Sequence, residues 1–395
     1  MITSARSRSL IIATMAFISA CSTREAAPES AAPEVLNFDS MVLLEETSET
    51  SANVSIGDVN GDGHLDVLLV KGRHWPLHNL ILIGDGVGNF LPPQPLSEEP
   101  DRSYSGVLVD VDNDEDLDVV VSNDQPDAKR VFLNDGTGRF SPGSEVGRPA
   151  WPTRHIKVMD MNGDGLPDVI FANRTGDPRP NAPEDMRSNF LCLNQGAGRF
   201  TDDCLAFSEE SATTVTPADF NGDGLVDLLV PHREGGQSYL YLQGPSDSFA
   251  NRVAFGPHDA AIRAAEVADL DANGILDIVM INEFTGSFIL WGRPDMSFDA
   301  PERLGPEGIA PYAVTIADVN QDNRPDIMVG HVNAKPIVFF TGPGRSFVPV
   351  PFGDDDGTAY GFSVGDLNED GHNDIAMARS DAPNVLFFGK PIPEQ

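Results

Sequence analysis

Long apolar runs and positive charge are both scarce in this chain of 395 residues. No apolar run reaches about eighteen residues, the length of a helix that crosses a bilayer, so no such helix is expected in the mature protein. Lysine and arginine together number 26, against 61 aspartates and glutamates, which gives a net charge of -35. So negative a surface repels nucleic acid and anionic lipid, and it favours cations as partners.

Several common catalytic motifs are absent as well. The sequence has no nucleotide-binding glycine loop, no cysteine and histidine cluster with zinc spacing, and no catalytic serine elbow. Helical periodicity of useful length is also missing, whereas short β-rich segments divided by turn residues occur throughout. The chain is therefore predicted to be all-β, without a motif that identifies a reaction.

The N-terminal part is predicted to be an export signal followed by a tether. Arg6 and Arg8 precede the apolar stretch "LIIATMAFI" (Leu10–Ile18), and "SAC" follows it. The segment "ISAC" resembles the lipobox of bacterial lipoproteins, whose cysteine, here Cys21, is lipidated. The resemblance implies a signal peptide over residues 1–20, a lipid anchor in the membrane, and a place in the cell envelope at the outer membrane or cell surface. Residues 21–34, rich in Ala, Pro, Ser and Glu, are predicted to be a flexible tether.

Two further cysteines bound a predicted hairpin. Cys192 and Cys204 stand at the ends of "CLNQGAGRFTDDC", where opposite positions on paired strands lie close enough for a disulfide. An exported protein would meet an oxidising compartment, in which such bridges persist. A disulfide is therefore favoured over two free thiols, the result if the strand register were shifted by one residue.

A nine-residue aspartate-rich segment recurs seven times along the chain. The first copy is "DVNGDGHLD", and the copies begin at residues 58, 110, 160, 219, 269, 318 and 366. A repeat of about fifty residues is typical of an array or a propeller. Each copy is followed by a short apolar run, such as "VLLV" or "VVVS", then by a second run, a turn and a third run. Four strands in each repeat correspond to one propeller blade.

The two ends of the repeat array complement each other. The last repeat stops after "NVLFFG", without a fourth strand, and "NFDSMVLLEE" (Asn37–Glu46) has the character of the missing one. Residues 35–395 are therefore predicted to form a seven-bladed β-propeller of four-stranded blades. The N-terminal strand would complete the last blade and close the ring, so that no open edge is left between blades.

The nine-residue pattern, the repeat length and "YGFSVGDLNEDGHNDIAMA" (Tyr360–Ala378) together resemble the FG-GAP/VCBS repeat family. That family includes the propeller of integrin α subunits and many exported bacterial proteins. The resemblance covers about residues 35–389 and implies the same propeller fold. It implies no single activity, because the family is functionally broad. Most repeats lack the Gly-Phe pair of the last one, so the similarity to integrins themselves is loose.

The aspartate-rich loops are predicted to bind calcium, which prefers six to eight oxygen ligands. Side chains at positions 1, 3, 5 and 9 would supply them, together with a backbone carbonyl near position 7. The predicted side-chain ligands are Asp58, Asn60, Asp62, Asp66, Asp110, Asp112, Asp114, Asp118, Asp160, Asn162, Asp164, Asp168, Asp219, Asn221, Asp223, Asp227, Asp269, Asp271, Asn273, Asp277, Asp318, Asn320, Asp322, Asp326, Asp366, Asn368, Asp370 and Asp374.

The alternative for these loops is a set of Asx turns held by their own backbone hydrogen bonds. Seven copies with three or four acidic groups each would repel strongly without cations, which favours up to seven Ca²⁺ ions with a mainly structural role. Three loops depart from the pattern: the second has Glu115 and the sixth Asn323 at position 6, where glycine is usual, and the fifth has Asn273 at position 5. Glu115 would be strained if the turn needs a positive φ.

The face opposite the loops is the predicted ligand-binding face, since the first two strands of each blade meet there. The candidate ligand-binding residues are Tyr104, Arg154, Arg263, Tyr312, Tyr360, Lys71, His232, His331 and Arg379. Connecting loops add residues such as Arg73, His74, Trp75 and Arg233. A polar, aromatic and partly basic surface suits an anionic or sugar-like ligand. Polar residues at strand ends are also expected simply because such ends are exposed.

Three functions are compatible with these features. The first is a cell-envelope binding module for a glycan or a protein ligand. The second is an enzyme: some calcium-bearing propellers that resemble this chain act as polysaccharide lyases, and His232, His331, Tyr312 and Arg263 could supply the base and the cation for an acidic polysaccharide. The third is a structural component of an envelope complex. No spacing motif supports catalysis, so the binding module is favoured.

Overall fold

The computed structural model describes residues 32–174 and 188–392. Within these ranges the chain forms seven four-stranded antiparallel sheets and one short 3-10 turn, Pro245–Asp247. The predicted signal peptide, most of the predicted tether and Cys21 lie outside the described residues. No helix in the described part of the chain is long and apolar enough to span a membrane.

The strands follow the repeats of the sequence. Strand β1 (Leu36–Leu43) comes first and belongs to the last blade. Blade one contains β2 (Ser51–Gly57), β3 (Asp66–Lys71), β4 (Leu80–Leu82) and β5 (Gln94–Pro95). Blade two contains β6 (Ser103–Val109), β7 (Asp118–Asn123), β8 (Arg130–Asn134) and β9 (Phe140–Glu145). Blade three contains β10 (Thr153–Met159), β11 (Asp168–Asn173), β12 (Asn189–Cys192) and β13 (Leu205–Ser208).

Blades four to seven repeat the arrangement. Blade four contains β14 (Thr216–Ala218), β15 (Asp227–Val230), β16 (Ser238–Gly244) and β17 (Ser248–Phe255). Blade five contains β18 (Ala264–Ala268), β19 (Asp277–Asn282), β20 (Gly286–Leu290) and β21 (Glu302–Leu304). Blade six contains β22 (Pro311–Ala317), β23 (Asp326–His331), β24 (Ile337–Thr341) and β25 (Phe347–Pro351). Blade seven contains β26 (Thr358–Gly365), β27 (Asp374–Ser380), β28 (Val385–Pro391) and β1. The predicted seven-bladed propeller of four-stranded blades is confirmed.

The second strand of every blade begins at the ninth residue of an aspartate-rich loop and is buried along its whole length. These strands are the apolar runs that follow each loop in the sequence. A strand buried on both faces is expected to be continuously apolar rather than alternating. Side chains of neighbouring blades meet between the sheets, where Val70 of blade one shares a buried cluster with Val121 and Phe132 of blade two.

The ring closes through β1, the outer strand of blade seven, which pairs with β28 in antiparallel register, for example Val42 with Leu386. A buried polar cluster ties this strand to blade one. Lys71 at the end of β3 contacts the carboxylates of Glu45 and Glu49, and Asn384 donates to Glu45. The N-terminal strand is thereby joined to both blades that flank the seam.

Blade three contains a disulfide between Cys192, the last residue of β12, and Cys204, just before β13. Their Cα atoms are 4.4 Å apart, in the range usual for such bridges. The bond closes the hairpin that the sequence predicts, and Cys192 is packed among apolar side chains of blades two and three.

Residues just before β1 lie against the aspartate-rich loop of blade six. The Asn320 side-chain amide donates to the Glu34 carbonyl oxygen at 2.7 Å, and Pro33 approaches Gly342 in the turn after β24. The Ile392 amide, just past β28, donates to the Val35 carbonyl oxygen. Both ends of the described chain are therefore on the face that carries the aspartate-rich loops.

Candidate ligand-binding mouth and metal loops

Register shifts aim a group of polar side chains at the centre of the ring. In blades two, three, six and seven the innermost strand carries one extra residue relative to its partner: Tyr104, Arg154, Tyr312 and Tyr360. A β-bulge of this kind bends the strand and turns the extra side chain away from the regular alternation. In blade five Arg263 stands directly before the innermost strand β18. These five residues were predicted as ligand-binding.

Arg263, Tyr312 and Tyr360 form a continuous contact across three blades. The Arg263 guanidinium lies 3.3 Å from the centre of the Tyr312 ring, and its Nε donates to the Tyr312 carbonyl oxygen. The Tyr360 hydroxyl donates to the Tyr312 hydroxyl at 2.9 Å. Arg73, from the connecting loop of blade one, covers the other side with its guanidinium 4.2 Å from the centre of the Tyr360 ring. A guanidinium over an aromatic ring is attracted to the ring face, and this contact leaves its hydrogen-bond donors available.

A second group continues the arc through blades one to three. The Tyr104 hydroxyl lies 2.8 Å from Nε2 of His74, and the Arg154 guanidinium lies 4.3 Å from the Tyr104 ring centre. Asp124 pairs with both Arg154, at 2.7 Å, and His74, at 3.2 Å. Burial, with Arg154 nearby, lowers the pKa of His74, which favours its neutral form near pH 7. We call the set Arg73, His74, Tyr104, Asp124, Arg154, Arg233, Arg263, Glu283, Tyr312 and Tyr360 the mouth.

The mouth is cationic although the protein is strongly acidic. Its four arginines face two carboxylates: Asp124, and Glu283, which pairs with Arg233 at 2.7 Å and Arg263 at 2.8 Å. Arg73 forms no ion pair with any described carboxylate, and its side chain donates to neutral hydroxyl groups, those of Ser380, at 3.3 Å from Nη1, and of Tyr104. Its Nε is buried without a hydrogen-bond partner in the described chain. A guanidinium so placed has capacity left for an anion.

The two tyrosines at the centre of the mouth are electrostatically different. Burial alone would raise the pKa of Tyr312, but the Arg263 charge and the hydrogen bond from Tyr360 outweigh it, so that the pKa is lowered. Burial and the adjacent Tyr312 raise the pKa of Tyr360, which keeps its proton and donates it to the pair. Tyr312 is thus the phenol that loses its proton more readily.

Two exposed aromatic side chains flank the mouth. Trp75, 66% exposed, follows His74 in the connecting loop of blade one, and Phe284, 82% exposed, follows Glu283 in that of blade five. Asp124, Glu283 and Phe284 were missed by the sequence analysis. A usable signal was present, because Asp124 and Glu283 each follow the asparagine that ends a second strand. Exposed aromatics next to arginines are the composition of binding hot spots.

Four other predicted ligand-binding residues lie outside the mouth. Lys71 is buried in the polar cluster at the seam, and Arg379 is buried against Asp354, at 2.5 Å. His331 is buried and bonds through Nδ1 to the Lys335 carbonyl oxygen. His232 is half-buried against Gly236. The register explains three of these placements: Lys71, His331 and Arg379 pair with the residue before the bulge, so the bulge turns its own side chain away from them.

The aspartate-rich loops share one hydrogen-bond pattern. In the first, Asp58 accepts from the amides of Gly61 and Gly63, at 2.8 and 2.9 Å. The position-9 carboxylate, Asp66, is fully buried and accepts from the amides of Val59 in its own loop and Gly84 just past the third strand. Equivalent bonds occur at the other six position-9 aspartates. The loops therefore make the Asx-type bonds of the alternative interpretation, and position 9 links three segments of each blade.

Two loops bring enough carboxylates together to suit a divalent cation. Asp110, Asp112 and Asp114 in the second loop, and Asp269, Asp271 and Asp277 in the fifth, place oxygen atoms within 4.8 Å of one another. In both loops the position-3 carboxylate has an Oδ1 atom that is buried without a hydrogen-bond partner among described residues. These donor sets fit calcium, which binds carboxylate oxygens. In loops one, three, four and six, position 3 is an asparagine whose amide donates to the position-5 carboxylate.

The second and fifth loops are also among the three that depart from the pattern of the sequence. Position 6 has a positive φ in every loop, including 75° at Glu115 and 67° at Asn323. The structure therefore has the conformation that makes Glu115 unfavourable. In both loops the aspartate at position 3, Asp112 or Asp271, raises the local negative charge. At the fifth loop Arg345 offsets part of this charge by pairing with Asp271 at 3.0 Å.

Comparison with known proteins identifies the repeat. A model of the FG-GAP-like repeat matches five overlapping stretches, residues 58–121, 110–171, 160–230, 219–280 and 269–329. No curated protein sequence matches the chain.

Solved structures share the fold at low sequence identity. BP39L lectin from Burkholderia pseudomallei is 14% identical, with a TM-score of 0.65, and the match covers 87% of this chain and 99% of that one. BBS1N, solved in complex with ARL6DN, is 11% identical, with a TM-score of 0.59, over 92% and 98% of the two chains. The Dos1 propeller is 10% identical, with a TM-score of 0.53, over 91% and 96%. Identities this low show a common fold and no common function.

Proposed function

The chain belongs to the FG-GAP-like repeat family, and from that premise we propose that it is a calcium-stabilised binding module of the cell envelope whose mouth takes an anionic glycan. Arg73 is the observation that carries this proposal. Its guanidinium stacks on Tyr360, has no carboxylate partner in the described chain, and keeps a buried donor unsatisfied. An anionic ligand would supply the missing acceptor and leave the other arginines in their existing pairs.

The aromatic content of the mouth favours a glycan among anionic ligands. Trp75, next to His74, and Phe284, next to Glu283, are exposed flat apolar groups, and a sugar ring presents both an apolar face and hydroxyl groups. A lectin with a similar fold is consistent with such a ligand, and a propeller solved with a protein partner keeps an acidic protein surface as the alternative. The two are distinguished by experiment.

The direct test is equilibrium binding of residues 34–395 to soluble acidic polysaccharides, with polygalacturonate as probe and uncharged dextran as comparison, in calcium-containing buffer. We expect polygalacturonate to bind and dextran not to. Arg73→Ala should weaken binding about tenfold, which corresponds to about 1.4 kcal/mol. Arg139→Ala is the matched control, because Arg139 is an exposed arginine in a turn on the opposite face. Equal binding by both variants would contradict the proposed site.

Calcium is proposed for the aspartate-rich loops, with the second and fifth as the best supported sites. Bound calcium would supply positive charge to the carboxylate clusters and fix the loops between first and second strands. Chelation should therefore lower the melting temperature. Asp112→Asn and Asp271→Asn should each weaken calcium binding in a titration, whereas Asp355→Asn, an exposed aspartate outside the loops, should not. An unchanged melting temperature after chelation would contradict the structural role.

A polysaccharide lyase is the second candidate, and the lowered pKa of Tyr312 favours it. Such an enzyme needs a base to take a proton next to a uronate carboxylate, and Arg263 beside Tyr312 could offset the charge of that carboxylate. His232 and His331, the other predicted bases, lie outside the mouth. Incubation with polygalacturonate, followed by ultraviolet absorbance of unsaturated product ends, tests this function. Tyr312→Phe should abolish product formation and leave binding intact; no product from the unaltered protein would exclude a lyase acting on this polymer.

The place in the envelope is proposed from the N-terminal sequence. Lipidation at Cys21 would anchor the chain to a membrane. Incorporation of a labelled fatty acid in a bacterial expression host tests it: the label should appear in the full chain and be lost in Cys21→Ser, with Ser22→Ala as the control that keeps the cysteine. Label retained in Cys21→Ser would contradict the assignment.

A further inference from the structure

A groove runs along the outer rim of the propeller at the seam between blades seven and one. It lies between β1 and the segment 80–93 of blade one, and its volume is about 710 Å³. Leu43, Leu80, Phe90, Leu91 and Pro92 contribute apolar walls, and Glu46 and Glu49 lie at one end. The mouth residues do not line it, so this groove is separate from the proposed glycan site.

Exposed apolar side chains concentrate at this groove. Leu43 is 52% exposed and Leu91 is 55% exposed, and both line the groove. Met41, two residues before Leu43 on the same strand, and Val87, next to the lining residue Gly88, are exposed as well. These four are among ten exposed large hydrophobic residues in the described ranges of the chain. Such a concentration on a charged protein is typical of an interaction surface.

Strand β1 presents an open edge on its outer side. It is the terminal strand of its sheet, and among the described strands it pairs with β28 alone. The Leu44 amide donates inward to the Asn384 carbonyl oxygen at 2.9 Å, so the alternation of an antiparallel ladder turns the backbone groups of Leu43 and Met41 outward. β1 contains no proline, whereas the opposite wall carries Pro92 and Pro93, which cannot donate to a ladder. Only the β1 side of the groove can accept another strand.

The negative charge at the end of the groove favours a basic ligand. Glu45, Glu46 and Glu49 lie there, and the only cation among the lining residues, Lys71, is already held between Glu45 and Glu49. The surface of the whole chain, with a net charge of -35, repels acidic segments. A segment that fits the groove therefore combines apolar residues, which face Leu91 on the blade-one side and Leu43 on the other side, with lysine or arginine at the end next to Glu46.

We propose that β1 and this groove bind an extended, basic and apolar segment of a partner protein by strand addition. The segment pairs its backbone with the outward groups of Met41 and Leu43, places the side chains of one face against Leu91 and those of the other face against Leu43, and sets its basic residues near Glu46. Main-chain pairing supplies affinity and the side-chain contacts supply specificity in this mode of recognition.

The test uses the full mature chain and a fluorescent peptide of about ten residues, long enough to cover β1, with alternating valine and threonine and two terminal lysines. Fluorescence anisotropy should show saturable binding. Hydrogen exchange should slow at the amides of Met41 and Leu43. Leu43→Glu should weaken binding at least about tenfold, and Glu46→Lys should weaken it in the same direction. Trp75→Ala, a change on the mouth side, should leave peptide binding unchanged.

Two control peptides make the result decisive. A central proline removes a backbone donor, and two glutamates in place of the lysines reverse the charge. Equal binding of either control peptide would overturn the proposal, as would unchanged exchange at Met41 and Leu43 or the absence of saturable binding. Concentration-dependent self-association that Leu43→Glu abolishes would also overturn it, since a second copy of the chain would then occupy the groove. Glycan binding at the mouth is independent of each outcome.

Discussion

Glu115 has a backbone conformation that residues with a side chain rarely adopt. Its φ is 75°, and five of the seven loops have glycine at this position. A residue held in such a conformation destabilises the fold by about 1–3 kcal/mol. Replacement by glycine removes this strain, but the greater conformational freedom of glycine in the unfolded chain offsets part of the gain. We therefore expect Glu115→Gly to raise the free energy of unfolding by about 1 kcal/mol, measured by denaturant unfolding in calcium.

The matched control for this change is Glu98→Gly. Glu98 is an exposed glutamate without a positive φ, so glycine should stabilise nothing there and should lower stability slightly. If both variants lost stability equally, strain at Glu115 would be excluded as the cause. Position 4 has a positive φ in every loop as well, which its mixed composition of Gly, Asn, Ala, Gln and Glu did not indicate.

The buried position-9 aspartates give the metal-free protein a pH dependence. Burial raises the pKa of Asp66, Asp118, Asp168, Asp227 and Asp277 to about 6, and that of Asp326 and Asp374 to about 7, from 3.8. In this window the native chain holds protons that the unfolded chain has lost. The free energy of unfolding in chelator should therefore fall as the pH rises from about 4 to 7. Thermal unfolding at stepped pH checks it.

One variant separates these aspartates from general charge repulsion. Asp326→Asn removes a single titrating group, so the slope between pH 6 and 7 should flatten by up to about 1.4 kcal/mol per pH unit, even though the variant is less stable throughout. Asp355→Asn, exposed and outside the loops, should leave the slope unchanged. A melting temperature that rises with pH in chelator would contradict the assignment.

At the scale of strands, β1 is held by a charge cluster in which the loss of one member should lower the stability of the fold strongly. Lys71 is 2% exposed and pairs with both Glu45 and Glu49 at the seam. Removing one partner of a buried ion pair leaves an uncompensated charge, which costs about 3–5 kcal/mol. We expect Lys71→Met to lower the free energy of unfolding by that amount. The double variant Lys71→Met with Glu45→Gln should recover part of the loss.

Lys335→Met is the control for the seam, because Lys335 is exposed. Its unfolding in denaturant should differ little from that of the unaltered protein. Equal effects of the two lysine changes, or a double variant as unstable as the sum of its single changes, would show that the cluster does not tie β1 to blade one.

The strands also show where prediction from sequence ends. Apolar runs and turn residues predict the second strand of every blade, because a buried strand must be apolar whatever its neighbours are. The bulges are not predictable in this way. Tyr104 and Tyr312 face the mouth because one extra residue interrupts the ladder, whereas Lys71 and Arg379, at equally polar strand ends, are turned into the blades. One residue of register reverses the direction of a side chain, and composition does not record it.

For the whole molecule, the net charge of -35 sets a salt dependence. Repulsion among the loops destabilises the compact state, and salt screens it, with a Debye length of about 10 Å at 0.1 M and about 3 Å at 1 M. In chelator, sodium chloride should therefore raise the melting temperature clearly. In calcium the same addition should have a smaller effect, because bound ions have already offset part of the charge. Equal effects in both conditions would argue against calcium in the loops.

The seven-fold repeat determines the overall architecture from sequence alone, since seven copies of one unit leave little choice of fold. The position of the candidate binding site, in contrast, cannot be predicted from the repeat. The mouth depends on residues of all seven blades, and its counter-ions Asp124 and Glu283 are separated by more than a hundred residues in sequence. No local pattern connects them. Their partnership exists only when the ring is closed.

The contact of Pro33 and Glu34 with blade six has a consequence for how the molecule is oriented. These residues leave the propeller beside Asn320, on the side of the aspartate-rich loops, and the mouth opens on the other side. Anything joined to the chain before residue 33 would therefore hold the propeller by the face that carries the aspartate-rich loops. The arginines and tyrosines of the mouth would then face away from the point of attachment.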